Sequence, residues 1–285
     1  MPLYKKLGNI DRRVIYIFIS LAVIIPLIFK ISFTEKASPI VQRIFDKVES
    51  LPEGSRVMLS YDYSPSTAPE IQPMADALTR HILHKNLQLF NGALWGTGHN
   101  LVTETIDRII VSEFPDKIYG KDYMSLGYKA GNEGLIAVIL LDMKQMYTTD
   151  ARGTDIDSIP MMQPVKNLRS FDLILSLGGG KPGIKEWILF AGDPGQIPIA
   201  GGATAVSAPS LYPYYPDQLV GLMGGMKGGA EYESALLKRY PKFKSFSHPG
   251  IDLMGPQAIA HLVIIIFVII GNITYFIGRR RGDEG

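Results

Sequence analysis

Two long apolar segments lie near the ends of this chain, at residues 14–33 and 258–277. Each has about the twenty residues that an α-helix needs to cross the hydrocarbon core of a membrane. The residues between them carry the mixture of apolar, polar and charged side chains of a folded domain. The pattern therefore predicts two transmembrane helices with one domain, residues 34–257, held between them on one side of the membrane.

Basic residues flank both segments on the sides away from this domain. They are Lys5, Lys6, Arg12 and Arg13 before the first segment, and Arg279, Arg280 and Arg281 after the second. Lysine and arginine near a membrane helix are retained in the cytoplasm, so we expect cytoplasmic tails at residues 1–13 and 278–285. The first segment lacks an A-x-A-like cleavage site, and we interpret it as a retained anchor. The sequence predicts a prokaryotic plasma-membrane protein whose main domain is extracytoplasmic.

Within the domain, runs of apolar and aromatic residues alternate with segments whose apolar residues recur at helical spacing. The runs predict strands at residues 56–63, 87–95, 122–128, 171–177 and 197–207. The helical spacing predicts helices at residues 38–51, 67–82, 101–114, 184–191 and 216–237. Alternating strands and helices are typical of an α/β domain. We therefore expect a Rossmann-like or flavodoxin-like fold with a doubly wound, mostly parallel sheet of about five strands.

Two segments of the domain have further local features, the apolar run at residues 135–147 and the start of the helix at residues 67–82. Residues 135–147 form an apolar run that is compatible with a helix or with a buried strand. We favour a helix, because neighbouring parallel strands need a crossover connection. The helix at residues 67–82 opens with Thr67 and has Glu70 three residues later, which predicts a capping box.

Charge and composition exclude several kinds of function. The net charge is +2, of which residues 1–13 contribute +3 and residues 279–285 contribute +1, so the rest carries about −2. A domain with this charge is not expected to bind nucleic acid. The chain has no cysteine, which excludes disulfides, thiolate metal sites and cysteine catalysis. Since no metal-binding or cofactor-binding motif occurs either, we expect no metal and no cofactor.

Three loops are expected to meet at one edge of the sheet, at residues 62–67, 96–100 and 178–183. Ligands of open parallel sheets bind beyond the carboxyl ends of the strands, where these loops lie. Each loop precedes a helix, whose N-terminus favours an anion such as phosphate or carboxylate. We therefore expect a small anionic ligand. The candidate ligand-binding residues are Ser64, Ser66, Thr67, Gly96, Thr97, Gly98, Gly178, Gly179, Gly180 and Lys181.

Each of these signals also has a purely structural explanation. The third loop matches neither G-x-x-x-x-G-K-[ST] nor G-x-G-x-x-G, and glycine-rich turns without ligands are common. The hydroxyl residues of the first loop suit turn formation and helix capping. Two residues are candidates for acid–base catalysis. They are Asp62, at a strand end, and His99, although no serine or acid is tied to His99 by its spacing.

Two further features are compatible with a partner interface. Glycines repeat every four residues in the last predicted helix, and they destabilise a helix unless a neighbour approaches closely. That neighbour is either another part of this chain or another subunit. Tyrosines and prolines before this helix suit either recognition of a partner or a packed connection. The candidate interface residues are Tyr212, Tyr214, Tyr215, Gly221, Gly225 and Gly229.

Lysines and an arginine are interleaved with aromatic residues just before the second apolar segment, which predicts contact with lipid headgroups. These basic residues are Lys238, Arg239, Lys242 and Lys244. The expected partners of the chain are therefore membrane lipid, together with other membrane-protein subunits or a second copy of itself.

No segment carries a specific catalytic signature, so the sequence favours a binding protein over an enzyme. We expect a ligand- or partner-binding accessory subunit of a membrane complex. An α/β domain held between N- and C-terminal membrane helices resembles, in outline, extracytoplasmic components of gliding-type ABC transporters, and the resemblance implies association with a transporter. No motif of that family matches residues here, so it implies no site residues.

The alternative is an envelope enzyme that acts on a phosphorylated or sugar-containing substrate. In that case Asp62 and His99 would serve as acid and base, and residues 178–181 would bind the anionic group.

Overall fold

The computed structural model describes residues 10–33 and 35–280. The described residues divide into an α/β unit, residues 35–250, and a helical unit formed by residues 10–33 and 251–280. In chain order, the main elements are α1 Arg12–Ile28, α2 Pro39–Ser50, β1 Arg56–Asp62, α3 Ala68–His84, β2 Gln88–Ala93, α4 Gly98–Thr105 with its π-helical continuation Ile106–Val111, β3 Tyr123–Tyr128, α5 Asn132–Leu141, β4 Leu173–Gly178, α6 Ile184–Trp187 with its π-helical continuation Ile188–Gly192, β5 Ile199–Ala203, β6 Leu222–Gly224, α7 Gly225–Arg239 and α8 Pro249–Arg280.

Within the described residues, six strands form one all-parallel sheet in the order β3-β2-β1-β4-β5-β6. Chain order reverses between β1 and β4, so the sheet is Rossmann-like, and this part of the prediction is confirmed. The sheet has one strand more than expected. β6 pairs with β5 at a position that the sequence pattern assigned to a helix. Three residues are too few for strand alternation to be visible in a sequence.

Both faces of the sheet are covered, so each strand alternates between two apolar cores rather than between core and solvent. In β1, Leu59 and Tyr61 face the core formed with α2, α3, α4 and α7. Met58 faces the other core, formed with α5, α6 and the long connection at residues 143–171. Asp62 lies four residues after Met58, so its side chain is on the same face of the sheet. It points to this second core and is fully buried.

Two local predictions have opposite outcomes. The ambiguous run at residues 135–147 contains α5, so the preference for a helix is confirmed. The capping box at the start of α3 is wrong. The Thr67 hydroxyl donates instead to the carbonyl of Ser64 at 3.1 Å, and Glu70 accepts from the backbone N–H of Ala205 at 2.9 Å. Glu70 therefore ties the start of α3 to the loop after β5.

The glycines that were expected along one helix do not all lie in it. Gly221 precedes β6, and Gly225 begins α7 with a φ of +61°, a left-handed conformation that favours glycine. A Cβ atom added at Gly225 would lie 2.8 Å from the Cβ of Ala205, and one added at Gly221 would lie 2.4 Å from the carbonyl oxygen of Ile40. Gly229, within α7, packs against α3. The close neighbours of all three glycines are parts of this chain.

The face of α3 that meets α4 carries two charged residues among its apolar ones. Asp76 is fully buried and accepts two hydrogen bonds from the guanidinium of Arg108, at 2.5 and 2.7 Å. One turn later, the buried Arg80 donates two hydrogen bonds to Glu113, both at 2.7 Å. Bidentate pairs have a fixed geometry, so they set the register between α3 and the helix that continues α4.

His81, near the end of α3, is fully buried against α2 and α7. Its Nε2 donates to the carboxylate of Glu49 at 2.9 Å, since a carboxylate can only accept, and its Nδ1 accepts from the hydroxyl of Tyr232 at 2.7 Å. The imidazole stacks on Phe45, with 4.5 Å between ring centres. Burial lowers the pKa of His81 to about 4, so the ring is neutral at physiological pH.

The helical unit contains α1 and α8. By length and composition, α8, with 32 residues, is the one helix among those described that can cross a membrane. A second such helix was expected over residues 14–33, but α1 ends at Ile28 after 17 residues. Lys30 is left-handed, with a φ of +49°, and the N–H of Ile31 donates to the carbonyl of Pro26 at 2.9 Å, a geometry that ends helices. The prediction of two membrane-length helices is corrected to one.

α1 and α8 are in contact within this unit. The rings of Phe18 and Phe267 meet edge to face, with 5.8 Å between their centres. The chain that follows α1 also approaches α8 closely, since a Cβ added at Gly255 would lie 1.8 Å from the carbonyl oxygen of Ile31. The basic residues Lys5, Lys6 and Arg281 lie outside the described residues.

We predict that His81 makes stability depend on pH. Its pKa is about 4 in the folded protein and about 6.5 in the unfolded chain, so between these values the unfolded chain binds a proton that the folded protein excludes. This group should therefore lower the free energy of unfolding by about 3 kcal/mol as the pH falls through that range. Denaturant titration of the full chain in mild detergent, at a series of pH values, measures the effect.

The variant His81→Gln supplies the comparison, because glutamine keeps a donor and an acceptor but cannot titrate. We expect the variant to lose this part of the pH dependence, whatever its stability at neutral pH. An identical slope in the wild type and in the variant would show that His81 is not held neutral by burial.

Candidate functional site

The carboxyl ends of β1 and β4 meet where the strand order reverses, which is where a ligand crevice was expected. Trp95, from the loop after β2, spans this position. Its indole Nε1 donates to the carbonyl of Pro182 at 2.7 Å, and Gly180 lies against its ring. The loops after β2 and β4 therefore close over the switch point, and open space remains on either side of it.

Beneath this closure, the carboxylate of Asp62 accepts four hydrogen bonds. Its Oδ1 accepts from the Ser60 hydroxyl at 2.6 Å and from the backbone N–H of Leu94 at 2.8 Å. Its Oδ2 accepts from the Ser176 hydroxyl at 3.1 Å and from the indole Nε1 of Trp187 at 2.8 Å. The single carboxylate thus joins β1, the end of β2, β4 and α6.

The pKa of Asp62 is raised to about 6, because the loss of hydration outweighs the four hydrogen bonds that favour its ionised form. The group is ionised at physiological pH, fully buried and surrounded by donors of the protein itself. Asp62 lies at the strand end where it was predicted, but its contacts are those of a structural residue rather than of a catalytic acid.

The first predicted loop is a tight turn. The hydroxyls of Ser64 and Ser66 lie 2.7 Å apart, and the backbone N–H of Thr67 donates to the carbonyl of Ser64 at 3.0 Å. Gly179 of the third loop packs on this turn, since a Cβ added there would lie 2.8 Å from the Thr67 hydroxyl. The first and third loops meet, and their contact fills the space between them.

The second predicted loop also packs on the end of β1. The Thr97 hydroxyl donates to the carbonyl of Tyr63 at 3.1 Å. Gly98 begins α4 so close to β1 that an added Cβ would lie 2.0 Å from the carbonyl oxygen of Tyr61. Thr97, through its hydroxyl, and Gly98, through its close backbone approach, therefore hold the loop against the end of β1.

His99 and Gly96 line a cavity of about 310 Å³ at the carboxyl ends of β2 and β3. The Nδ1 atom of His99 has no hydrogen-bond partner among the described residues. Asp150 lines the same cavity, but its carboxylate already accepts from the backbone N–H groups of Arg152 and Thr154, at 2.9 and 2.8 Å. Asp62 does not line this cavity, so the two catalytic candidates do not form an acid–base pair.

The third predicted loop leads into α6, whose first turn already contains a carboxylate. Glu186 is 6% exposed, and its Oε2 accepts from the backbone N–H of Gly183 at 2.8 Å. The side chain of Lys181 is exposed, and its Nζ lies 3.9 Å from Oε1 of Glu186. A negative group therefore lies where the sequence predicted a site for an anion, with the predicted lysine beside it.

A cavity of about 450 Å³ lies over the carboxyl ends of β4 and β5, next to this loop. Leu189 and Phe190 of the π-helix and Leu211 of the connection after β5 supply an apolar wall. Glu133 and Glu186 supply negative charges, and Lys181 and Lys185 supply positive charges. The volume falls within the range of small-molecule sites, roughly 300 to 1,000 Å³, and the mixture of an apolar wall with a few polar groups is typical of them.

The aromatic candidates for a partner interface differ in exposure. Tyr212 is 52% exposed, and Val206, on the same connection after β5, is 89% exposed. Tyr214 and Tyr215 are half-buried, and the hydroxyl of Tyr215 accepts from the guanidinium of Arg43 at 3.4 Å. Of these three tyrosines, Tyr212 is therefore the most available to another protein, whereas Tyr215 also links its own connection to α2.

The structure offers little to a metal or a dinucleotide at this edge. Among residues 10–33 and 35–280, no group of three or more His, Cys, Asp or Glu side chains could hold a metal ion. The strand order is that of dinucleotide-binding folds, but the first turn of α3 carries Pro69 and Glu70. A proline removes an N–H donor and a glutamate adds negative charge, so this turn does not suit a pyrophosphate.

Two residues that shape the site were not among the predicted ones. Trp95 ends a predicted strand, and nothing in its neighbours indicates that it closes the switch point. Glu186 stands three residues after Gly183, which is the spacing of a capping box. That spacing was the one available signal for a carboxylate at the start of α6.

Compared with models of known protein families and with curated proteins, the chain matches none of them. A Rossmann-like fold hosts many unrelated functions, so the fold by itself implies no activity. The function must be inferred from the residues of the site.

We predict that Asp62→Asn destabilises the protein by about 3 kcal/mol at pH 7.5. Either orientation of the new amide points its NH₂ group at one N–H that cannot reverse, the backbone N–H of Leu94 or the indole N–H of Trp187. Denaturant titration of the full chain measures the loss. Asp107→Asn, at an exposed position, is the matched control and should change stability by less than about 0.5 kcal/mol. Equal effects of the two substitutions would contradict a structural role for Asp62.

Proposed function

We propose that this protein is a membrane-anchored accessory subunit whose α/β unit binds a small ligand outside the cytoplasm for a membrane complex. The cavity of about 450 Å³ carries the proposal. It lies at the edge of the sheet where open α/β folds bind ligands, and it combines an apolar wall with a buried carboxylate and an exposed lysine. These are features of a small-molecule binding site.

The contacts of the acid–base candidates favour binding over catalysis. Asp62 is enclosed by four donors of the protein, and a general acid must reach the substrate directly or through one water molecule. His99 lines a different cavity, where Asp150 is already engaged by backbone N–H groups. An envelope enzyme built on Asp62 and His99 is therefore the less favoured proposal.

We further propose that α8 crosses the membrane and that α1 inserts beside it, with both termini cytoplasmic. Arg279 and Arg280 end α8, and Arg12 and Arg13 lie at the start of α1, which supports this orientation through the retention of basic residues in the cytoplasm. The 17 residues of α1 rise about 26 Å, slightly less than the hydrocarbon thickness of about 30 Å. The packing of α1 on α8 supports their insertion as a pair.

The partner in this proposal is another membrane protein, as in the transporters that the architecture resembles in outline. The exposed Val206 and Tyr212 support an interaction surface at the connection after β5, because large apolar side chains exposed together often mark contacts between proteins.

Reporter fusions test the orientation. We expect alkaline phosphatase, which is active only outside the cytoplasm, to be active when inserted at the exposed residue Asp217 and inactive when fused after Gly285. A cytoplasmic fluorescent protein fused after Gly285 should fold and fluoresce. Phosphatase activity at Gly285 with none at Asp217 would overturn the extracytoplasmic placement and, with it, the proposed function.

Purification of the full chain in mild detergent tests the partnership. We expect a membrane protein to co-elute in fixed stoichiometry and to be lost from the Tyr212→Asp variant, because a charge would be buried in the interface. Val111→Asp is the matched control, since Val111 is 56% exposed on the continuation of α4, and this variant should keep the partner. A wild-type chain that elutes alone, or loss of the partner from both variants, would contradict the proposed interface.

A further inference from the structure

Glu186 carries a carboxylate oxygen that faces the cavity. Its Oε2 accepts from the backbone N–H of Gly183. Among the described residues, no donor lies within hydrogen-bonding distance of Oε1, and the nearest charged partner, the Nζ of Lys181, is 3.9 Å away. Most of the Glu186 side chain is buried, at 6% exposed, but Oε1 is not one of the buried atoms that lack a partner, so the oxygen itself is accessible from the cavity. At 3.9 Å, Lys181 is too far away to donate a hydrogen bond to this oxygen, so Oε1 can accept one from a ligand, and a positively charged donor fits a carboxylate best.

The groups around this oxygen differ on its two sides. Lys181, whose side chain is 74% exposed, stands at the rim and offers a positive charge to a second, negative group of the same ligand. Leu189 and Phe190 form the wall and are 41% and 39% exposed, so they offer an apolar surface that a ligand can cover. Glu133 and Lys185 line the cavity as well, so negative, positive and apolar groups lie together in it.

We propose that this cavity binds an α-amino acid with an apolar side chain. The ammonium group donates to Oε1 of Glu186, the carboxylate pairs with Lys181, and the side chain packs against Leu189 and Phe190. The 3.9 Å between Lys181 Nζ and Glu186 Oε1 places the two protein charges side by side, as the two charges of an amino acid are. This inference rests on the proposed ligand-binding function and names the class of ligand.

The same charges disfavour the simpler ligands. A phosphate or a plain carboxylate would be attracted by Lys181 but would be repelled by Glu186 in its buried position. A plain amine would pair with Glu186 but would bring no negative group for Lys181 or Lys185. The cavity, at about 450 Å³, has room for a residue the size of leucine or phenylalanine. The sequence predicted a small anionic ligand, whereas the proposed ligand is a zwitterion. The difference arises because the site holds a carboxylate that the loop pattern did not indicate.

Isothermal titration calorimetry on the full chain in mild detergent tests this assignment. The probes are L-phenylalanine, L-leucine, phenethylamine, which lacks the carboxylate, and 3-phenylpropionate, which lacks the ammonium group. We expect both amino acids to bind, phenethylamine to bind about tenfold more weakly, and 3-phenylpropionate to show no binding. Failure of both amino acids to bind, or equal binding of 3-phenylpropionate, overturns the proposal.

Two variants assign the charges to their residues. Glu186→Gln keeps an acceptor for the N–H of Gly183 and removes the negative charge. The affinity for L-phenylalanine should therefore fall about tenfold or more. Lys181→Ala should weaken the binding of L-phenylalanine but should not weaken the binding of phenethylamine, which has no carboxylate to pair with Lys181. Glu104→Gln removes a charge whose side chain is 63% exposed on α4, and it is the matched control that should bind as the wild type does. Unchanged affinity in Glu186→Gln overturns the assignment.

The outcome is separable from that of the proposed function. If the reporter fusions and the co-eluting partner behave as expected but no amino acid binds, only the class of ligand is wrong. If amino acids bind with the expected dependence on Glu186 while the phosphatase at Asp217 is inactive, the proposed class of ligand is supported and the proposed extracytoplasmic placement is contradicted.

Discussion

The carboxylate of Asp62 is the interaction on which the carboxyl edge of this sheet depends. It receives donors from β1, from the end of β2, from β4 and from α6, so the two halves of the doubly wound sheet are joined at the point where their order reverses. A carboxylate can accept about four hydrogen bonds, and here all of that capacity is used inside the protein. The residue that resembles a catalytic acid in the sequence is the one that fixes the geometry of the edge.

This closure decides where a ligand can bind. In open α/β folds the usual ligand crevice is the gap between the two strands at the switch point, but here the indole of Trp95 and the loop around Gly180 and Pro182 cover it. Space remains on the two flanks, over β2 and β3 and over β4 and β5. The second flank is the larger and more apolar, and it contains the candidate site.

Glu186 links the local structure of α6 to the chemistry of that site. One of its oxygens caps the first turn of α6 through Gly183, and the other faces the cavity beside Lys181. The cap holds the carboxylate in one orientation without any contribution from a ligand, and such preorganisation reduces the entropy lost on binding. The glutamate therefore keeps its position whether or not the cavity is filled.

Local patterns determined much of the architecture. Period and spacing predicted the α/β class and the parallel sheet, and the need for a crossover predicted α5, because these properties follow from which residues can face a core. The length of the apolar run predicted α8. The same reasoning overestimated the length of α1, because an apolar run does not reveal the left-handed turn at Lys30 that ends the helix at Ile28. It missed β6 because three residues show no period.

The site was decided by tertiary structure. The sequence placed Asp62 and residues 178–183 at the correct edge, since strand ends and loops are local features. It could not show that Asp62 is enclosed, because Ser176 and Trp187 lie 114 and 125 residues further along the chain. Partners at such separations leave no mark on the spacing of neighbouring residues, and they become neighbours only when the parallel strands pair.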